Sequence, residues 1–508
     1  MTPSQAQHQP YDVVVVGGGI NGTSAARELV ASGYRVLLAE KADLANGASS
    51  RSSRILHCGL RYFETHHPVR TFVKSPSQFL GAVKMARAAM DAREELVRLQ
   101  PQRCKPFTMC FPLYQGGDIR SWHLDIGFAL LKRLGPPFPS LEYRRIASAY
   151  LERELPFVSD LRDRKQLGSI ATYREYMINW PDRICVDYAL EAEQNGATLR
   201  LFTKASIRGR EPSGEWLVDL TDQSAAVETV RAKVVLNVTG TWIDEFEVPE
   251  QQTNPPLVRG TKGAHIVVRL PERYQGFGIA TLHRGGMPFY CLPIYDDRFF
   301  FGPTETLYDG DANAAHPTRE DIDFLLAEAN FLLPGLRLQH RDVEFSWAGV
   351  RPLTYDPKLP MGRRTREIHD LRNRNLAGIF AMTAGPVMSH RSAGRELRDA
   401  VARLIPQRRQ NRGEPYAAHG VCPASTDDVD DLEATIRTAV LKEHARDLRG
   451  ILYTRTAYAW GRHLDRATVE RAAHSAGKLL AWNSETISDQ VEEILDHQRR
   501  AFPNGSAS

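Results

Sequence analysis

The sequence predicts an α/β protein in which a nucleotide-type βαβ unit is interleaved with a β-rich part and followed by a helical C-terminal domain. Three observations predict it. An apolar β-branched run at 11–16, YDVVVV, stops at a glycine cluster and is followed by a helical stretch and a second apolar run. Short strand-like runs such as TLRLF, KVVLNV, HIVVRL and RFFFG dominate residues 165–305. Beyond about residue 428 the apolar spacing is helical to the end.

A β-branched run closed by glycine reads as a buried parallel strand. Residues 20–32 then read as a helix and 34–39, YRVLLA, as the second strand. Between strand and helix, Gly17-Gly18-Gly19-Ile20-Asn21-Gly22 satisfies G-x-G-x-x-G. Gly17 permits the tight turn, Gly19 lets the backbone approach a pyrophosphate, and Gly22 lets helix and strand pack closely. The amino end of the helix adds free N–H groups and the positive end of its dipole. Glu40, 18 residues past Gly22, ends the second strand, where it can accept bonds from ribose hydroxyls. A glycine turn without a ligand is the plain alternative, but strand, helix and terminal acid together favour a Rossmann-like dinucleotide site. The motif does not separate FAD from NAD. An acid at 40 argues against the extra phosphate of NADP.

A chain of 508 residues is too long for one core, so two or three domains are expected. The net charge of +4 makes no case for nucleic-acid binding. Six scattered cysteines form no CxxC pair. They read as free thiols in a reducing, cytoplasmic compartment, with no metal site. No secretory signal and no spanning helix are expected, whereas contact with a membrane surface stays open.

Residues 76–100 and 117–134 read as helices, 378–383 (GIFAMT) as a strand and 392–405 as a helix. The Arg-, Gln- and Pro-rich stretch from 406 opens a linker. The expected division is 1–405 for the nucleotide-binding domain, with substrate parts at roughly 75–165 and 245–350. A linker at 406–427 and a helical domain at 428–508 complete it.

Residues 47–64, GASSRSSRILHCGLRYFE, resemble the segment after the second strand of FAD-dependent glycerol-3-phosphate dehydrogenases. The resemblance continues in VVLNVTGTWID (234–244), RGTKGAHIVV (259–268), FFFGPTETLYDGD (299–311), AGVRPL (348–353) and EHARDLRGILYTRTAYAW (443–460). These motifs span nearly the whole chain in the family's order. The resemblance implies a D-amino-acid-oxidase-like fold with a Rossmann-like FAD domain, a β-rich substrate domain and a helical cap. It implies FAD as cofactor and a small anionic substrate, with quinone or oxygen as electron acceptor. Peripheral attachment to the inner face of the membrane goes with quinone reduction in the family, and the Arg-rich stretch 403–412 would suit it. A homodimer is left open.

Oxidising a secondary alcohol needs a hydride acceptor, a base and a cation for the developing oxyanion. The flavin N5 would be the acceptor. By resemblance, Arg351 sits over the substrate and Arg61 beside its phosphate, with Tyr62 close by. Arg363 corresponds loosely to a second phosphate-side arginine, with Arg364 adjacent. His265 is the first candidate base, because a neutral imidazole near its reference pKa of about 6.5 suits proton abstraction. His57 is an alternative, and His390 a third from position alone. For each histidine a hydrogen-bonded core role is the plain alternative. The proposed FAD contacts are Gly17, Gly19, Ile20, Asn21, Gly22, Glu40 and Lys41 for the nucleotide. Ser49, Ser50, Ser53, His57, Gly59 and Leu60 follow in the second segment. Ala205, Gly240, Trp242, Gly385, Val387 and Met388 complete the set.

Two departures from the family pattern stand out. Two family glycines become Cys58-Gly59, where a packed thiol is the first reading and covalent flavin attachment the second. The family lysine on the substrate side becomes Pro386, which carries neither charge nor N–H. His390 and Arg391 would be the residues to compensate, or the substrate would differ from glycerol 3-phosphate. An amine, amino-acid or hydroxy-acid oxidase of the same fold and a non-enzymatic flavoprotein are the competing readings.

Overall fold

The computed structural model describes residues 9–63, 74–117, 119–249, 255–295, 297–407 and 432–503. Among these, the strands form two sheets, one of eight and one of eleven. The first has the order Glu367–Asp370, Ile379–Thr383, Val227–Asn237, Tyr11–Val16, Val36–Ala39, Thr198–Arg200. The last five of these pair in parallel, so Tyr11–Val16 is central and its valines are shut off from water. Each such valine stabilises the fold by roughly 1.5–3 kcal/mol. The βαβ reading therefore stands, with the second strand beginning at Val36. The chain leaves the central strand toward Val36–Ala39 on one side while Val227–Asn237 lies on the other. That makes a switch point, where open α/β sheets bind ligands.

Helix Ile20–Ala31 packs between helices Pro181–Gln194 and His390–Ala402. Sequence reading missed Pro181–Gln194 inside a stretch read as strands. Eleven of its fourteen residues are buried, so no clean polar stripe marks it as a helix. It lies under the C-terminal helices as well as against the first sheet's helix layer.

The second sheet pairs Val258–Arg269 with Val343–Asp356 in antiparallel register and runs on through Cys104–Tyr114 to Leu167–Ile178 and Ile55–Leu56. Helix Arg319–Leu332 covers one face. The sheet also takes strands from outside 75–165 and 245–350.

Helices Leu432–Glu443, Arg466–Leu480 and Ser484–Ala501 share their own apolar core. They dock through buried charges. Arg183 clasps Glu443 at 2.7 and 2.9 Å and Asp187 at 2.7 Å, and Arg455 pairs with Asp43. Trp460 and Phe502 enter the core of the second sheet. The expected linker lies almost wholly outside the described residues, as do residues 408–412 of the Arg-rich stretch.

Candidate active site

Gly17 has a φ of +116°, and a Cβ there would lie 2.7 Å from the Val238 carbonyl oxygen. At Gly22 a Cβ would stand 1.9 Å from the Gly17 oxygen, so the helix reaches the strand only through glycine. The helix starts without a side-chain cap and without an acid in its first turn. Ser49 Oγ takes the Ile20 N–H at 3.0 Å. The next amides are left for an anion, as a diphosphate requires. Glu40 accepts from Gly18 N at 2.6 Å and Ala42 N at 2.9 Å, and burial raises its pKa. Each oxygen keeps a second lone pair for a ribose hydroxyl. Lys41 lies 4.5 Å from the centre of the Trp242 ring, which also covers Gly47. These features fit the ADP half of FAD on the residues of this chain.

The cleft beyond has a volume of about 190 Å³ and is made by glycine geometry. In the antiparallel register Gly263 faces Gly349, Thr261 faces Arg351 and His265 faces Trp347, so all six project from one sheet face. The Arg351 guanidinium folds over Gly263, where a Cβ would stand 2.0 Å from Nη2. The loop 48–57 closes the opposite side. Gly59, with φ of +92°, turns the chain against Ala86 and presents Arg61 and Tyr62 to the cleft. A third wall is the turn Ala384-Gly385, both left-handed with φ of +54° and +94°, followed by Pro386 and Val387.

Arginines 351, 61 and 364 meet here. Arg351 donates weakly to the Thr304 carbonyl at 3.4 Å, and its Nη1 is buried without a partner. Burial, with Arg364 next, lowers its pKa to about 10. Arg51 and Arg54 line the same cleft, and Glu305 is paired with Arg364, so the balance of charge there favours an incoming anion.

The structure separates the adjacent arginines. Arg363 pairs with Asp356 at 3.3 Å and Glu367 at 3.0 Å outside the cleft. Arg364, beside it, lines the cleft and pairs with Glu305. The positions expected to compensate for Pro386 also turn away. Arg391 binds Glu95 and the Tyr188 hydroxyl, both at 2.8 Å, and His390 Nδ1 donates to the Val387 carbonyl at 2.8 Å. Neither lines the cleft. Arg364, and not Arg363, shares the cleft lining with Pro386. It was hard to choose from sequence, because one residue's shift in a strand reverses the face.

His265 is buried, with Nε2 2.9 Å from Ser53 Oγ and its ring stacked 4.6 Å from Trp347. Burial, then Arg351 and Arg54, holds its pKa well below 6.5. The expectation of a near-reference imidazole is thus corrected, since two cations and lost solvation both oppose protonation. His57, edge-on to Tyr62 at 5.4 Å, is lowered to about 3 by burial and Arg61. Leu60, Ala205 and Met388 are packed in the core, so only their backbone can meet a ligand. Cys58 is buried beside Ala86 and Met90, its amide bonded to Glu175 at 2.9 Å, and burial raises its thiol well above the usual range. It does not line the cleft, in keeping with a packed thiol.

His390 has no exposure, and burial lowers its pKa to about 4. Folded, it stays neutral. Unfolded, it takes a proton below about pH 6.5. Its contribution is therefore present above that pH and is lost as pH falls, by about 2 kcal/mol between pH 7 and 5. In His390→Gln the difference in unfolding free energy between those pH values is expected to shrink by about that amount in urea titrations. An unchanged difference would show that His390 is protonated when folded.

The family model for FAD dependent oxidoreductases matches residues 12–400. The glycerol-3-phosphate dehydrogenase of Synechocystis sp. is 26% identical over 417 residues, covering 78% of this chain and 71% of the relative. The aerobic glycerol-3-phosphate dehydrogenase of Staphylococcus epidermidis is 27% identical over 406 residues, covering 78% and 68%. Among solved structures, the glycerol-3-phosphate dehydrogenase from Bacillus halodurans complexed with FAD superposes with a TM-score of 0.69 at 20% identity, over 98% of this chain and 96% of that one. Glycine oxidase from Geobacillus kaustophilus reaches 0.54 at 20% identity, over 80% and 99%. With the glycine cradle, the uncapped helix and the cleft beyond it, these matches lead to one conclusion: the chain belongs to the family of FAD-dependent oxidoreductases.

Proposed function

We propose that the chain oxidises the secondary alcohol of glycerol 3-phosphate, or of a closely similar small phosphorylated polyol, and passes the electrons to a quinone or to oxygen. The observation that carries this reading is the meeting of Arg351, Arg364 and Arg61 on one small cleft. A doubly charged phosphate and a developing alkoxide answer three guanidinium groups. An amino acid offers one carboxylate, which a single arginine satisfies. The two dehydrogenase relatives named above support the same choice.

FAD, when bound, supplies the hydride acceptor. Arg61 and Arg364 hold the phosphate, and Arg351 takes the alcohol oxygen as negative charge grows on it. In a dry cleft such a bond strengthens toward the transition state. His265 is the proton acceptor, either directly or through the Ser53 hydroxyl. Burial and the arginines keep it neutral in the free protein. A bound phosphate offsets those positive charges and raises the imidazole's basicity when the proton must be taken up. A neutral amine would need no such base, and Arg351 alone would serve an amino acid, so the further arginines are what favour the phosphorylated alcohol. Electron exit to a quinone would go with a peripheral seat on the membrane surface. Among the described residues, no helix is long and apolar enough to cross a membrane.

The test is anaerobic bleaching of the bound flavin with glycerol 3-phosphate, other sugar phosphates, hydroxy acids and amino acids. Phosphorylated polyols are expected to bleach it and amino acids to leave it yellow. Bleaching by amino acids alone would overturn the reading.

A further inference from the structure

A larger cavity, about 540 Å³, adjoins the flavin-side cleft, between the C-terminal helices and the loop 41–51, whose Lys41 and Ser50 are among the proposed FAD contacts. Its volume is in the range that holds a small organic molecule. We propose that it is a second ligand site, for a planar organic anion.

Charge argues for the anion. Arg51 from the loop, Arg449 before the π-helical turn Gly450–Arg455, and His497 and Arg500 from the last helix all line it. Among the described residues Arg449 makes no hydrogen bond or salt bridge. The cations oppose one another. Burial and then Arg449 lower Arg51 to about 10, and burial, then Arg449, Arg51 and Arg500, lower His497 to about 3, so the imidazole is neutral; Arg500 pairs with Asp496 at 2.8 Å, which leaves Arg449 and Arg51 as the main positive charges. The acids of the lining offset this only in part. Asp43 is taken by Arg455, and Asp447, bonded to the Gly450 amide, is raised to about 7 by burial and by Asp43. Asp182 lies in the field of Arg54 first and of Arg449 as well, and also acts on Arg51, and Glu493 remains on the helical side.

The walls argue for the planar body. Trp347, Trp460, Phe345, Phe502 and Tyr453 line the cavity, with the two tryptophan rings 6.0 Å apart and nearly perpendicular. Flat ligands gain from aromatic faces, and guanidinium groups hold their charged ends. Trp347 Nε1 is buried without a hydrogen-bond partner, and so is Asp182 Oδ1.

The cavity shares its wall with the cleft. Arg51 lines both. Trp347 stacks on His265, and Arg54 of the cleft sits 4.0 Å over the Trp460 ring. A ligand in the larger cavity therefore presses on the residues that hold the proposed base, and the tryptophans report its arrival.

The experiment titrates the flavin-loaded protein with 1-naphthalenesulfonate, following quenching of tryptophan fluorescence, with and without saturating glycerol 3-phosphate. Saturable binding to one site is expected, unaffected by glycerol 3-phosphate. Arg449→Ala is expected to weaken it at least tenfold with flavin content unchanged. The neutral 1-naphthalenemethanol is expected to bind at least tenfold more weakly. Absence of saturable binding, displacement by glycerol 3-phosphate, wild-type affinity in Arg449→Ala or equal affinity for the neutral analogue would each overturn the proposal. If Arg449→Ala does not fold, Arg500→Ala is tested in its place, with the same tenfold weakening expected and unchanged affinity counting against the site.

Discussion

Arg351→Ala is expected to keep its flavin and lose about 10²–10³-fold in kcat/KM, about 3–4 kcal/mol of transition-state stabilisation. The reasoning runs from the backbone. Register places Arg351 opposite Thr261, and the absence of a Cβ at Gly263 lets the guanidinium lie flat against the sheet. Its Nη1 is buried and unpartnered, so its hydrogen-bonding capacity is reserved for something that enters the cleft. The nucleotide cradle at Gly17–Gly22 is built from other elements, so the cofactor should stay bound. Arg351→Lys should recover only part of the loss, because a point charge cannot reproduce the planar fork. The measurements are the yellow absorbance of the purified variant, its anaerobic bleaching and steady-state kinetics. A colourless variant would make Arg351 a structural residue, and unchanged kcat/KM would remove it from the chemistry.

The second large effect is on stability. Arg183→Leu is expected to cost about 3–5 kcal/mol and to loosen the C-terminal helices. Arg183 is 1% exposed and holds Glu443 and Asp187 at once, bridging helix Pro181–Gln194 to Leu432–Glu443. Its removal leaves Glu443 buried without its main partner, whereas Asp187 retains Arg103 at 2.8 Å. Arg183→Leu combined with Glu443→Leu should recover much of the loss, since no unpaired charge then remains. Unfolding midpoints and limited proteolysis of the region after residue 432 check both. Equal resistance of the single variant and the parent would mean that the apolar contacts alone hold the helices.

How much could be read in advance varied with the range of the interaction. The opening βαβ unit was legible because a β-branched run, glycines at fixed offsets and a terminal acid are all local demands of backbone geometry. The helix Pro181–Gln194 was not, because burial on nearly all sides erases the amphipathic stripe that marks a helix. The motif around Arg351 announced a cationic site. The choice of Arg364 over Arg363 depended on where a short strand turns, a matter of one residue's register. Pro386 was read as the loss of a cation, met either by an altered substrate or by His390 and Arg391 as substitutes, yet packing assigned those two to Tyr188, Val387 and Glu95.

Contiguous residues thus settled the nucleotide turn, the order of strands and helices at the amino end, and the kinds of charge available to a substrate. These follow from φ/ψ limits, side-chain periodicity and hydrogen-bonding capacity, which act over a few residues. Folding in three dimensions selected which arginines share a cleft, kept His265 neutral between Arg54 and Arg351, and opened a second cavity beneath the C-terminal helices. Those outcomes rest on desolvation and on Coulomb terms between groups up to hundreds of residues apart, and such distances exist only once the sheets have packed.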